Sequence, residues 1–202
     1  SEQMRTAIAN AAAAGDTLGG VFEVVTRGVP VGLGSHVSWD RRLDARLGAG
    51  MLSIQAMKGV EIGLGFEAAG RPGSLVHDEI EQDASNRRTG GFRRSHNHAG
   101  GLEGGTTTGE PLVIRVAMKP LSSLTKPLAS IDLETGDSAR AVRERSDVCA
   151  VPAAAVVGEA MVCMVLADAL REKLGGDSLT EMRRNLESSL ERANSALPFR
   201  SP

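Results

Sequence analysis

The residues Leu112-Val113-Ile114-Arg115-Val116-Ala117-Met118 place large apolar side chains at 112, 114, 116 and 118 and smaller or polar ones between them. A period of two is that of a β-strand with one buried face, because successive side chains leave the chain on opposite sides. The strand is entered from a glycine-dense stretch, Asn97-His98-Ala99-Gly100-Gly101-Leu102-Glu103-Gly104-Gly105-Thr106-Thr107-Thr108-Gly109, and left through Lys119-Pro120-Leu121-Ser122-Ser123. Glycine lets the main chain take positive φ and come close to a ligand, hydroxyls donate hydrogen bonds, and lysine brings a point charge for phosphate. Bare backbone, a lysine and two hydroxyls on either side of one strand suit a phosphorylated ligand, though glycine clusters also mark turns and close packing. The stretch is not a Walker loop, since Thr108-Gly109-Glu110 stands where Gly-Lys-Ser/Thr is needed. Nor is it a dinucleotide fingerprint, because a strand rather than a helix follows it.

Working outward, Val60, Ile62, Leu64 and Phe66 alternate with Glu61, Gly63, Gly65 and Glu67, which predicts a second strand with one buried face. Residues 70–98 are polar, and their Asn86-Arg87-Arg88-Thr89-Gly90-Gly91 cluster suits a hairpin tip or loop. Residues 128–133 form a third candidate strand, turned by Thr135-Gly136-Asp137, and the β-branched run 21–27 is closed by Gly28 and Pro30. Residues 2–14 read as an alanine-rich helix ended by Gly15. Asp40 is placed to cap a helix whose stripe is Leu43, Leu47, Met51 and Ile54, leaving Arg41, Arg42 and Arg46 to solvent or a partner. In residues 151–170 only Glu159 and Asp168 are charged. With Pro152, many alanines and a charge near its middle, that run reads as a buried core helix rather than a membrane span. Gly175-Gly176 stops it, and Ser178-Leu179-Thr180-Glu181 is a capping box for a last amphipathic helix through residue 193. Strands and helices mixed without an internal repeat predict one α+β domain over residues 1–202.

A chain of 202 residues with 41% apolar content can bury one sizeable core, and 2% aromatics with seven Met make that core aliphatic. A formal charge of −2 gives no global field for nucleic acid or an anionic membrane. Arg87, Arg88, Arg93 and Arg94 flank a single Phe92, too few stacking rings for a nucleic-acid surface, so a solvated or site-covering loop is the reading. Cys149 and Cys163 would lie about 21 Å apart along one helix, too far for a disulfide, and are expected reduced and buried in a cytoplasmic protein. Residues 1–5 fall inside a helical pattern and carry no secretory signal. His36, His77, His96 and His98 show no paired metal-ligand spacing, so no metal is expected.

Further segments carry a family likeness: Gly15-Asp16-Thr17-Leu18-Gly19-Gly20, Ser53-Ile54-Gln55-Ala56-Met57-Lys58-Gly59-Val60-Glu61-Ile62-Gly63, Arg145-Ser146-Asp147-Val148-Cys149-Ala150-Val151-Pro152-Ala153 and Lys173-Leu174-Gly175-Gly176-Asp177-Ser178. With the glycine stretch they resemble chorismate synthase, in the family's order across nearly the whole chain. What they cover is the C-terminal half of a family member. The resemblance implies a β-α-β sandwich with antiparallel sheet packed against helices, and assembly as a homotetramer. It implies a lyase of the shikimate pathway that converts 5-enolpyruvylshikimate 3-phosphate to chorismate and phosphate by 1,4-elimination. Reduced FMN is the implied cofactor, its electrons coming from NADPH or an external reductase.

By the same resemblance Gln55, Ala56, Gly104, Lys119, Pro120, Leu121, Ser122, Ser123 and Arg145 match flavin-contacting positions. Asp147 matches a catalytic residue that manages the flavin proton. Taken only as residues, Lys119 could equally be a solvated strand end. Arg145 and Asp147, two apart on an extended segment, would ordinarily be a structural ion pair, and it is the match of the surrounding residues to the family that favours the functional reading. The family's two general-acid histidines belong to the N-terminal half, so nothing in this chain inherits their roles. The chain departs from the common family pattern at Leu64 and at His96 and His98. A catalytically inactive half that keeps part of a flavin or phosphate site is the competing reading.

Overall fold

The computed structural model describes residues 1–83, 85–86, 89–142 and 144–195. Its centre is a three-stranded antiparallel sheet in the order β1 (Gly20–Thr26), β7 (Leu112–Met118), β2 (Met57–Ile62). Three two-stranded hairpins surround it: β3 (Ile80–Gln82) with β4 (Phe92–Arg94), β5 (Leu102–Glu103) with β6 (Thr106–Thr107), and β8 (Ala129–Ile131) with β9 (Ser138–Arg140). The helices are α1 (Glu2–Ala13), α2 (Leu43–Leu52), α3 (Val151–Leu174) and α4 (Leu179–Ser195). The class is α+β.

The period-two reading of β7 holds along its whole length, with Leu112, Ile114, Val116 and Met118 buried and the residues between them half-buried. Their buried face joins Phe22 and Val24 of β1 against Leu43, Leu47 and Met51 of α2 and Ala154, Val162 and Leu166 of α3. Burial of this aliphatic surface is the main stabilising term, on the order of 1.5–3 kcal/mol for each large side chain. On the opposite face Glu23 and Glu61 both stand in register with Arg115, and Arg115 pairs with Glu61 at 3.1 Å. Opposite charges side by side across strands satisfy the less buried face.

Several expectations are corrected. The second strand stops at Ile62, and Leu64 and Phe66 lie in a turn and the 3-10 segment Gly65–Gly70. The cause is Gly63, which takes φ +59° and packs so tightly on the glycine stretch that a Cβ there would lie 2.5 Å from the Gly100 nitrogen. Asp40 does not cap α2. It sits in a short 3-10 turn and accepts a hydrogen bond from the Ser38 hydroxyl, while Arg42 occupies the N-cap position without a side-chain cap. Arg46 is not left to solvent, because its guanidinium pairs with Asp168 at 2.5 Å and Glu172 at 2.8 Å on α3. The third candidate strand shortens to Ala129–Ile131 and lies exposed, outside the core.

The long helix α3 is buried on one side only, through Ala154, Gly158, Val162, Leu166 and Ala169. Cys163 is accordingly exposed and Cys149 half-buried, so neither thiol is the buried group that composition suggested. At the end of α3, Ser178 Oγ accepts the Glu181 N–H as in a capping box, but the Glu181 carboxylate reaches the Asp177 N–H.

Candidate active site

Strand β7 ends at Met118, which stands in register with Gly20 at the start of β1 and Met57 at the start of β2. One end of the sheet therefore collects the exit from β7 and the entries to both neighbours. There the Lys119 N–H donates to the Ala56 carbonyl at 2.9 Å. Ala56 is the one non-glycine with positive φ, +68°, among the described residues, a conformation that L side chains seldom adopt. Gln55 beside it is exposed.

Residues 16–20 clamp two more segments onto this end. The Thr17 hydroxyl donates to the Leu121 carbonyl at 2.6 Å, and the Leu18 N–H donates to the Val148 carbonyl at 2.7 Å. Gly19 fits because it has no side chain: a Cβ would fall 2.8 Å from the Pro120 nitrogen and 2.9 Å from the Lys119 carbonyl carbon. Ser146 closes the ring by donating its hydroxyl to the Ser123 carbonyl at 2.7 Å. Residues 55–56, 119–123 and 145–148, far apart in sequence, thus meet at one place. The Gly15–Gly20 cluster carries the family likeness in the sequence, but no local pattern announces that Thr17, Leu18 and Gly19 hold the other segments.

Lys119, Ser122, Arg145 and Asp147 are exposed there, Ser123 half-buried. Arg145 and Asp147 do not pair with each other, and neither they nor Lys119 form an ion pair with any described residue. Lys119, Arg145, Asp147 and Ser122 are thus exposed on the segments that meet here, the three charged groups without an ion-pair partner among the described residues.

Gly104 is not brought to that place within this chain. It lies in the β5–β6 turn with φ +61° and open space around its α-carbon, and its neighbour Gly105 accepts the N–H of Leu43 at the start of α2. Gln55 follows the other end of α2, a helix of ten residues, about 15 Å long by its rise. The remaining glycines of the stretch serve packing. A Cβ on Gly101 would lie 2.6 Å from the Pro111 carbonyl oxygen, and Asn97 ties the same corner by donating to Pro111 at 2.8 Å and accepting from Gly101 at 2.9 Å. Asp78 accepts the N–H groups of His98 at 2.9 Å and Ala99 at 3.1 Å, a role twenty residues away that no local pattern announces.

The basic cluster does not make a cationic surface where it is described. Arg93 pairs with Glu81 and Arg94 with Glu103, each at 2.5 Å, beside a cavity of about 380 Å³ under Phe92 and Thr107. Arg87 and Arg88 lie outside the described residues. His96 and His98 stack their rings 4.9 Å apart, and no group of three metal-binding side chains assembles among the described residues.

The family model described as chorismate synthase matches residues 1–170. The chain belongs to the chorismate synthase family. A chorismate synthase of Geobacter sulfurreducens is 60% identical over 193 residues, which is 94% of this chain and 49% of the relative. One from Streptomyces avermitilis is 60% identical over 177 residues, 88% of this chain and 44% of the relative. A crystal structure of chorismate synthase superposes with a TM-score of 0.79 at 48% identity, covering 96% of this chain and 49% of that one. The fold is therefore that of chorismate synthase, an enzyme family, and the chain spans about half the length of the curated relatives it matches.

Proposed function

We propose that this chain supplies one half of the active centre of a chorismate synthase, acting on 5-enolpyruvylshikimate 3-phosphate with reduced FMN. The observation that carries the reading is the meeting of Gln55 and Ala56, residues 119–123, and Arg145 with Asp147 at one end of the sheet, the last two without an ion-pair partner among the described residues. Those residues fit a flavin mononucleotide. Ala56, held in its left-handed conformation, turns the main chain beside the exposed Gln55, and Lys119 and Arg145 offer charge to an anionic group.

When bound, reduced FMN supplies electron density transiently, so that loss of phosphate proceeds without net redox change. The chain's own work is electrostatic and positional. Lys119 and Arg145 hold negative charge against the sheet end, the Ser122 hydroxyl donates a hydrogen bond, and the Asp147 carboxylate accepts or holds a proton near the reacting centre. Gly104, at the far end of α2, would serve a second part of the ligand surface or a neighbouring subunit of the proposed homotetramer. The proposed setting is cytoplasmic, with electrons from NADPH or an external reductase.

Exposure of Gln55, Lys119, Arg145 and Asp147 together favours a second reading, in which this half alone keeps a partial flavin or phosphate site and no turnover. The test is to co-express the chain with the half of the Geobacter sulfurreducens enzyme that it does not match, and to assay chorismate and phosphate release anaerobically with reduced FMN. Release that depends on Asp147 supports the proposal. Flavin binding without release selects the second reading.

A further inference from the structure

Thr17 is a polar residue buried in a loop, 7% exposed and outside any strand or helix. Its own N–H donates to the Asp16 carboxylate at 2.8 Å, and its hydroxyl reaches across to the Leu121 carbonyl at 2.6 Å. A buried hydroxyl has given up water and must keep a partner, and the partner is fixed in turn. The residues beside Thr17 hold the same segment at its two ends. Gly19 packs on Lys119 and Pro120, and the Lys126 N–H donates to the Gly15 carbonyl at 3.0 Å. Between those ends two hydroxyls tie residues 119–126 down, Thr17 on Leu121 and Ser146 on Ser123. Ser146 is exposed, so water competes with its bond. Thr17 is buried, so its loss would leave the Leu121 carbonyl without a replacement close by, and the larger share of the restraint falls to it.

That bond also sets the direction of a donor. In a trans peptide the C=O and N–H point to opposite sides of the chain. With the Leu121 carbonyl turned inward to Thr17, the N–H of the same peptide, on Ser122, is turned away from the buried threonine, in a residue that is itself exposed. No described residue accepts this N–H. Lys119, three residues earlier, brings positive charge to the same short segment. A main-chain donor of fixed direction beside a lysine suits an anionic oxygen, and only the orientation of one peptide plane decides whether that donor faces outward.

We infer that Thr17 is a positioning residue of the flavin surface: by holding the Leu121 carbonyl from behind, it keeps the Ser122 N–H turned toward the cofactor and so sets FMN affinity. The inference rests on the function proposed above for residues 119–123. Without the hydroxyl the peptide can turn, and apparent affinity falls by the fraction of molecules that still hold the binding orientation. Excess ligand selects that orientation again, so the effect lies on binding and not on turnover at saturation.

The test is Thr17→Val, which removes the hydroxyl at nearly constant volume, in a complete enzyme carrying this half. The FMN dissociation constant, read by flavin fluorescence, is expected to rise roughly three- to tenfold, the range that loss of one buried hydrogen bond gives. Turnover at saturating FMN is expected to stay within about twofold of wild type. With no flavin present, amide hydrogen exchange in the 119–126 peptide, followed by mass spectrometry, should quicken by a similar factor. Thr17→Ser keeps the donor and should return both readouts to near the wild-type values. Val162→Ala opens a cavity in the buried face of α3, about 16 Å along the helix from Val151, which packs on Gly20 at the sheet end. It should lower the melting temperature and leave the FMN dissociation constant unchanged, which separates positioning from a general loss of stability. A wild-type enzyme that binds no FMN overturns the proposed function and this inference with it. Where wild type binds, unchanged affinity in Thr17→Val, a Thr17→Ser as weak as Thr17→Val, or equal weakening by Val162→Ala overturns the inference alone. So does turnover that stays low at saturating FMN, or unchanged exchange in residues 119–126, a measurement that needs no flavin.

Discussion

Lys119 leaves the sheet with no ion-pair partner among the described residues, so its fate on substitution distinguishes a ligand contact from a solvated strand end. In a complete enzyme carrying this half, Lys119→Ala should weaken FMN binding by about 1.5–3 kcal/mol, the worth of a charged hydrogen bond. The loss should shrink at high salt, as screening predicts for an exposed charge, and flavin fluorescence titration at two ionic strengths measures it. No change at either strength removes Lys119 from the flavin surface. Asp147→Ala should instead lower turnover more than flavin affinity, because Arg145 and Lys119 remain to hold the cofactor; lost binding with normal turnover at saturating flavin would reverse that assignment. Away from the site, Thr107 is buried, donating to the Pro30 carbonyl at 2.6 Å and accepting from the Leu33 N–H at 2.8 Å. Thr107→Val keeps the volume and strands both partners, so a loss of about 1–3 kcal/mol is expected from the denaturation midpoint.

Two helices are fixed by opposing effects whose sizes can be compared. At Gly158 in α3, alanine would gain about 1 kcal/mol of helix propensity. Its Cβ, however, would lie 2.6 Å from Cε2 of the buried Phe22 ring. Overpacking of that kind costs about 1–3 kcal/mol, so Gly158→Ala should lower the melting temperature, and a rise would mean that the Phe22 ring moves freely. At the start of α2, the Arg42 guanidinium hydrogen-bonded to Asp44 holds the Asp44 carboxyl below the usual range, aided by the Ala45 N–H. A depressed carboxylate contributes stability that is fully present above its unfolded pKa of about 3.9 and is lost as pH falls through the lower folded value. The stability gap between wild type and Asp44→Asn should therefore be constant from neutral pH to about 5 and close at more acid pH. Because the two side chains are 41% and 31% exposed, solvent screens the pair and the gap will be small, and denaturant melts between pH 7 and pH 2 would show it.

For the whole molecule, the proposed split site predicts that the chain alone turns over no 5-enolpyruvylshikimate 3-phosphate, because the resemblance puts the general acids in the half this chain does not match and positioning of a flavin cannot replace them. Chorismate formed by the purified chain with reduced FMN would contradict this, and nanomolar FMN affinity would contradict the split lining. The sequence by itself determined the period-two face of β7, the apolar stripe of α2, the two Gly-stopped helices and, through its motif segments, the family. Each of those is written in neighbouring residues, since a strand or helix face is a local repeat of side-chain direction. It did not determine where the second strand ends, because Ile62 is stopped by a glycine contact with residue 100, not by its own pattern. Nor did it show that α3 is buried on one side only, since a helix buried on all sides and one buried on a single side can have the same apolar composition. Only the tertiary structure decided that residues 55–56, 119–123 and 145–148 share one sheet end while Gly104 sits at another. That convergence depends on hydrogen bonds such as Thr17 to Leu121 and Leu18 to Val148, whose partners lie more than a hundred residues apart and leave no periodic trace in the chain.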